Sequence, residues 1–540
     1  MRDLWYKDAV VYCLDVDRFQ DSNGDGVGDF NGLKDRLTYI SGLGFTAVWL
    51  LPFYPTPDRD NGYDVKDYYS VDPTLGTLGD FVEFIHLARE RGLRVIVDLV
   101  VNHTSRDHPW FQAARSDPRS PYRDYYVWSK TKPEDAHEGV IFPGVQDTIW
   151  SYDRKAGEYY LHRFYPHQPD LNVGNPRVRE EIERIMGFWL ALGVSGFRID
   201  AAPFVVELKG VDREDVRDPL EFLADFRSFL SWRRGDAIML AEANLAPEEM
   251  LDYFSDDKLQ MGFNFILNQH LFLALARQQA SPLIEGLLMP PPMPENSQWA
   301  TFLRNHDELD LGRLSESQRQ DTFAAFAPEP SMQLYDRGIR RRLAPMLEGH
   351  PQRLKMAYAL MLSMPGTPVV NYGEEIGMGD DLSLKERDAV RTPMQWSADD
   401  NAGFSAARPR DLIAPVVSKG PFDYRTVNVA RQRKEPDSLL NWMERAIRVR
   451  KENPEFGWGK VDIVDTGDPR VFGHRLEHEG GVILAVHNLA DKGVRVSLDV
   501  SEYAGRRLLG LIDHSEREPV RDQRHELDIE PYGFHWFRVR

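Results

Sequence analysis

The sequence predicts a parallel (β/α)8 barrel, interrupted after its third strand and followed by a separate β-domain. Three observations predict this. Short apolar runs alternate with amphipathic stretches of helical length, the rhythm of a parallel sheet with crossover helices. Eight such runs occur, each almost continuously apolar, as strands covered on both faces must be. Beyond Asn453-Pro454 the helical stretches give way to strand-like runs.

The candidate barrel strands are residues 10–14, 47–50, 94–99, 196–200, 237–242, 261–265, 300–304 and 368–372. Periodicity does not decide closure, but eight units favour a barrel over an open doubly wound sheet. Between them, residues 80–91 place Phe81, Phe84, Ile85 and Ala88 at helical spacing and stop at Gly92. From Asn102 to Asn172 the rhythm fails in favour of Pro, Tyr, Asp and Arg, so 103–172 is read as an insertion too long for a plain loop. A second polar, proline-bearing excursion is expected over about 309–351. The barrel is therefore assigned to 1–102 and 173–455, and the β-domain to 456–540 with strands at 470–475, 481–487, 494–498 and 535–539.

Composition excludes several classes of function. With 540 residues the chain is too long for one core. Its 66 basic and 85 acidic side chains give a net charge of −19, the wrong sign for a nucleic-acid partner. A single cysteine, Cys13, excludes an internal disulfide framework and a cysteine-rich metal site. Residues 1–8 are charged and aromatic where a secretion leader would be apolar, and no run approaches the ~18 apolar residues of a membrane span. The expectation is a soluble, cytoplasmic protein acting on a small molecule, without membrane partner; self-association is left open.

In a barrel of this kind, chemistry sits at the carboxyl ends of the strands. Asp98 ends the third candidate strand, Asp200 the fourth and Glu242 the fifth, and Asp307 follows the seventh. One such acid is more often a solvated cap or loop carboxylate. Four strand ends giving the same answer reverse that preference. Arg198, two residues before Asp200, shares its face and would keep it ionised and aimed, as a nucleophile requires. Glu242 lies in Leu240-Ala241-Glu242-Ala243-Asn244, apolar surroundings that raise a carboxyl pKa and suit a proton donor. Such a pair is the equipment for cleaving a glycosidic bond, with retention at a separation of ~5–5.5 Å and inversion at ~6.5–9.5 Å. The sequence leaves that gap open.

His103 and His306 fall at the same rim. Without HExxH spacing or a cysteine ligand they do not read as a zinc site; imidazoles bonding sugar hydroxyls fit better. Tyr63 offers an aromatic face for a pyranose ring, or is a core side chain. No phosphate-binding glycine motif occurs, and Arg340-Arg341-Arg342 reads as a salt-bridged cluster on a helix.

These segments resemble the signature regions of the α-amylase family of glycoside hydrolases: Asp98-Leu99-Val100-Val101-Asn102-His103, Gly196-Phe197-Arg198-Ile199-Asp200, Glu242, Phe302 to Asp307, and Gln168-Pro169-Asp170-Leu171-Asn172. The resemblance implies Asp200 as nucleophile, Glu242 as acid/base and Asp307 as transition-state stabiliser, with Arg198, His103 and His306 positioning substrate or nucleophile. It also implies the barrel, the inserted domain and a C-terminal antiparallel β-sandwich. Within the family, residues 294–309, 338–345 and 391–396 resemble the trehalose synthases, which interconvert maltose and trehalose. Asp60 and Arg391 resemble a pair that closes around the non-reducing glucose. Two departures bear on product specificity: Cys13 stands where an acid is expected, and Phe204 where tyrosine is common.

The run from Asp21 to Asp29 places oxygen ligands at alternate positions on a glycine-bearing turn, which is calcium-loop chemistry. Its twelfth position is Gly32, so it is no EF-hand. It resembles the first-loop site of oligo-1,6-glucosidases, which implies Asp21, Asn23, Asp25, Asp29 and the Val27 carbonyl as ligands of calcium, or of magnesium. Asn102, Asp170 and Glu207 resemble a second calcium site of trehalose synthases. Both metals would be structural.

The implied reaction is intramolecular transglucosylation through a covalent β-glucosyl-Asp200 intermediate, with water excluded by loops after strands three and seven. An α-glucosidase, in which water wins, is the alternative. A non-catalytic interaction subunit is the reading from another class, opposed by the presence of all three acids and by the lack of the membrane span such subunits carry.

Overall fold

The computed structural model describes residues 3–207, 209, 218, 220–254, 257–503, 505–515 and 524–540. At its centre eight parallel strands close into a barrel: Val11–Leu14, Ala47–Leu50, Arg94–Leu99, Gly196–Ile199, Ile238–Ala241, Met261–Phe263, Gln298–Phe302 and Thr367–Asn371. Each expected run falls on one of them, with ends shifted by up to two residues. The two-residue period explains their continuous apolar reading. Trp49, Ile96, Leu240, Phe263 and Phe302 fill the barrel. Val48, Val95, Val97 and Met239 point outward into the helical layer. Cys13 is one of the barrel-filling side chains, close enough to Asp98 for that charge to help burial push its thiol well up. An acid there would add a negative charge beside Asp98.

Helix Leu78–Glu90 buries the four apolar residues expected of it and begins at a reciprocal cap between Thr77 and Asp80, a feature worth about 1 kcal/mol. The insertion carries helix Pro109–Ser116 and a three-stranded antiparallel sheet of Trp128–Ser129, Glu158–Leu161 and Trp150–Asp153. Bridge pairing between His103 and Asp170 closes its base, where the chain leaves and rejoins the barrel. The excursion after the seventh strand contains helix Glu316–Phe326 and a small sheet of Leu309–Asp310, Gly338–Ile339 and Gln333–Leu334.

The three arginines 340–342 lie in irregular chain just before helix Leu343–Met346 rather than on a helix, and each reaches back to the chain after the eighth strand. Arg340 donates to the carbonyls of Leu382, Leu384 and Glu386, Arg341 pairs with Asp380, and Arg342 with Glu374. Their structural, salt-bridged reading stands; the helix does not.

The C-terminal region is a sandwich of a five-stranded and a two-stranded antiparallel sheet. Val482, Leu484 and Val486 face Val496, Leu498 and Leu527 across it. The opposite face of the larger sheet, with Phe472, Ile483 and Trp536, belongs to the barrel's own core. Besides the four expected strands it contains Lys460–Ile463, Leu508–Gly510 and Arg524–Ile529, short or charged runs whose single buried face is too brief to read by periodicity. Among the described residues no helix is long and apolar enough to cross a membrane.

Candidate active site

Parallel register brings the acids together. Asp98 pairs with Arg198, and Arg198 with Leu240, so all three point to the barrel interior. One period further on, Asp200 and Glu242 reach the rim. Arg198 joins them: its guanidinium lies 2.6 Å from Asp98, 2.6 Å from Asp200 and 2.8 Å from Glu242. Trp49 and Tyr63 donate to Asp98 at 3.1 and 3.2 Å and flank the guanidinium with their rings. Directly after the nucleophile position, Ala201 holds φ at +48°, a strained conformation for a residue with a Cβ. Its N–H donates to Glu242 Oε2 at 3.0 Å, which ties the ends of the fourth and fifth strands together.

Asp200, Glu242 and Asp307 all face one cavity of about 470 Å³. Asp60, Tyr63 and His103 line it too, whereas Arg198, His306 and Arg391 stand behind the carboxylates and hold them. The Tyr63 ring lies parallel to that of His306, and its hydroxyl is 2.9 Å from His306 Nε2. His103 is held by the Tyr63 carbonyl at 3.0 Å. Phe142, Phe164 and Phe204 supply an apolar wall. Phe204 thus lies in the site, where a tyrosine would add a hydroxyl.

The four acids do not share one electrostatic environment. Burial pushes Asp200 up to about 6 against the pull of Arg198, so it remains ionised at neutral pH. Asp98 likewise stands at about 6, raised by burial and lowered by Arg198. Burial raises Glu242, as a proton donor requires. Burial would raise Asp307 as well, but His306, Arg387 and Arg391 hold it well below the usual carboxylate range. A reaction that needs Asp200 ionised is therefore expected to show the acid limb of its kcat/KM near pH 6, where Asp200 takes up a proton, rather than near the ~4 of a free aspartate. A pH profile with its acid limb at 4 would contradict this.

Two expectations meet a different geometry. Arg391, expected with Asp60 around a glucose, stands outside the cavity lining, where it reaches Asp307 at 2.7 Å and the His306 carbonyl at 2.8 Å. The partner of Asp60 is Arg387, whose two terminal nitrogens lie 3.0 Å from Asp60 and 2.9 Å from Asp307. The reason is reach: Arg391 is already committed behind the wall, and Arg387, four residues earlier, projects into it. Gln168 holds the other Asp60 oxygen at 2.8 Å. Secondly, Asn102, Asp170 and Glu207 do not form a metal site. The Lys209 ammonium stands 2.5 Å from Asn102 Oδ1 and 2.8 Å from Asp170, and Glu207 pairs with Arg163 instead. A cation is already provided, so calcium does not fit there. Lys209→Met should leave buried Asp170 without it and cost about 3–5 kcal/mol. Millimolar calcium is expected to raise Tm in that variant more than in the parent, as calorimetry would read.

At the first loop the donor chemistry does suit a hard cation: Asp21, Asp25 and Asp29 carboxylates, the Asn23 amide oxygen and the Val27 carbonyl. Asp21 and Asp29 are buried, and their oxygens accept the N–H groups of Ser22, Asn23, Gly24, Gly26 and Gly32. Among the described residues no three His, Cys, Asp or Glu side chains are gathered to hold a metal ion.

Sequence reasoning missed Trp49, Arg387 and Glu308. Arg387 lies in Lys385-Glu386-Arg387-Asp388, which looks like a solvated charge run. Glu308 faces the cavity beside Asp307; burial pushes it up to about 7 and its Oε2 finds no hydrogen-bond partner among the described residues. Its signal was its place next to Asp307.

With this geometry in hand, comparison with known proteins is direct. Residues 14–326 and 339–459 match the alpha amylase catalytic domain. The chain belongs to the α-amylase family. Residues 480–538 match the sucrose hydrolase-like C-terminal domain. The chain is 44% identical to a trehalose synthase of Thermus thermophilus over 543 residues, 100% of this chain but 56% of that protein. It is 41% identical to a trehalose synthase of Pimelobacter sp. (strain R48), covering 99% of this chain and 96% of the relative. A crystal structure of the trehalulose synthase MutB from Pseudomonas mesoacidophila MX-45 superposes with a TM-score of 0.78 at 26% identity, over 99% of each chain. The stretch 327–338, outside the α-amylase match, is the part of the excursion that carries Tyr335 and Arg337.

Proposed function

We propose that this α-amylase-family enzyme interconverts maltose and trehalose by retaining, intramolecular glucosyl transfer. One observation carries the reading: the carboxyl groups of Asp200, Glu242 and Asp307 face a single cavity. Similarity to trehalose synthases over 99–100% of the chain supports the substrate pair.

In the forward direction Glu242 gives its proton to the glycosidic oxygen while Asp200 Oδ attacks the anomeric carbon, releasing glucose and leaving a β-glucosyl ester on Asp200. Charge developing on the ring faces the Asp307 carboxylate, held ionised by its arginines. The released glucose turns within the cavity. Its anomeric hydroxyl then loses a proton to Glu242 and attacks the anomeric carbon of the ester, which breaks the bond from that carbon to the Asp200 oxygen, frees Asp200 and forms trehalose. Asp60, fixed by Arg387 and Gln168, is placed to bond hydroxyls of the bound glucosyl ring.

Water must be kept out while the ester exists. The insertion and the excursion meet over the mouth: Arg337 donates to the Ile141 carbonyl at 3.1 Å, and the rings of Phe142 and Tyr335 lie 4.7 Å apart. Incubation with maltose followed by NMR tests the reading. Trehalose is the expected product, and glucose alone would replace the isomerase with an α-glucosidase.

For the first loop, the reading is a structural calcium, or magnesium, held by Asp21, Asn23, Asp25, Val27 and Asp29. A chelator should lower Tm and added calcium restore it, with Asp25→Ala abolishing the response.

A further inference from the structure

We propose that Glu386 is a positioning residue, a clasp over the cavity that sets what share of the glucosyl ester returns to sugar and what share is lost to water. The inference rests on the isomerase reading above and names a residue that controls it.

One oxygen of Glu386 joins loops from three barrel strands. Oε2 accepts hydrogen bonds from the Tyr165 hydroxyl at 2.6 Å and the Tyr335 hydroxyl at 2.6 Å. Tyr165 belongs to the insertion after the third strand, Tyr335 to the excursion after the seventh, and Glu386 follows the eighth. Hydrogen bonds to a carboxylate are stronger than neutral ones, and two on one oxygen hold both loops to one point. Both tyrosine rings pack on Phe142, at 4.8 and 4.7 Å, and Phe142 lines the cavity. Glu386 and the two tyrosines stand outside that lining, so they act through Phe142 rather than on substrate.

A second line of transmission runs along the chain. The next residue, Arg387, holds Asp60 and Asp307, so any movement at 386 reaches two carboxylates of the cavity wall through one peptide unit. Glu386 itself has φ of +41°, a left-handed conformation costly for a residue with a side chain. Arg340 keeps it there through the carbonyls of Leu382, Leu384 and Glu386. The loop is held by its partners rather than by its own preference, and losing a partner lets it relax. Tyr335 lies in 327–338, the stretch outside the match to the α-amylase catalytic domain. One of the two tyrosines of the clasp therefore lies outside the stretch that matches the catalytic domain, which suits control of product rather than of bond cleavage.

The chemistry being partitioned is simple. The ester between Asp200 and the anomeric carbon breaks when an oxygen attacks that carbon and gives its proton to Glu242. If the oxygen belongs to the retained glucose, a disaccharide forms; if it belongs to water, glucose does.

The test is the ratio of glucose to trehalose formed from maltose, read by NMR for the parent, Glu386→Ala, Glu386→Gln and Tyr335→Phe. Glu386→Ala and Tyr335→Phe are expected to raise the ratio, the first by about tenfold, the scale on which one hydrogen bond to a charged group acts. Glu386→Gln should stay near the parent, because its amide oxygen still accepts both hydroxyls. Formation of the ester from α-glucosyl fluoride in a single turnover should fall by less than the ratio rises, since Asp200 and Glu242 are untouched and Asp307, still held by Arg391, is reached only through Arg387. An unchanged ratio in folded Glu386→Ala overturns the clasp, as does an unchanged ratio in Tyr335→Phe should the alanine variant fail to fold. A parent that makes no trehalose instead sinks the isomerase reading; the clasp is then read from transfer to added glucose against transfer to water, with the same expected order of variants.

Discussion

Asp200→Asn is expected to reduce turnover of maltose by ~10⁴-fold or more, equivalent to about 5 kcal/mol of transition-state stabilisation. Asparagine keeps the volume and one oxygen beside Arg198, so the fold should survive while the attacking charge is gone. Glu242→Gln separates the two roles. On maltose the loss of a positioned proton donor costs ~10²–10⁴-fold. On α-glucosyl fluoride, whose leaving group departs without a proton, formation of the Asp200 ester should be largely spared. Single-turnover kinetics with both substrates check this, and equal losses on the two would show that Glu242 is not the acid.

The second large effect belongs to Arg198, on stability as well as rate. It is about 1% exposed and touches three carboxylates that are themselves buried or half-buried. Arg198→Met leaves Asp98, Asp200 and Glu242 facing one another without a cation, and breaking a buried pair in this way costs about 3–5 kcal/mol. Arg198→Lys should recover little, because a single ammonium does not reproduce a fork that binds three acids at once. Adding Asp98→Asn to Arg198→Met should restore part of the Tm without restoring activity. A Tm for Arg198→Met within about 1 °C of the parent would remove Arg198 from this role.

The acids were legible because their placement is local. In a parallel barrel the two-residue period and the strand ends together determine which side chains reach the rim, and Asp98, Asp200 and Glu242 are read that way. Asp307 lies five residues past the seventh strand, beyond the reach of that period, and was read from its place after that strand and then from its motif. Partner assignments were not local. Asp60 and Arg387 are 327 positions apart, and no local pattern in the sequence pairs them. Lys209 was invisible for the same reason: nothing near it in the chain shows that its ammonium ends between Asn102 and Asp170.

What the amino-acid order determined alone was the eightfold alternation, the interruption after the third strand, the β-rich end and the set of carboxyl groups at the strand tips. These follow from side-chain periodicity, which is written in consecutive residues. Tertiary structure decided which cation answers each carboxylate, and therefore which acid stays ionised, that the Lys209 ammonium lies between Asn102 and Asp170, and how three distant loops meet at Glu386. Electrostatic energy depends on distance through space and on burial, and neither is a property of neighbours along the chain.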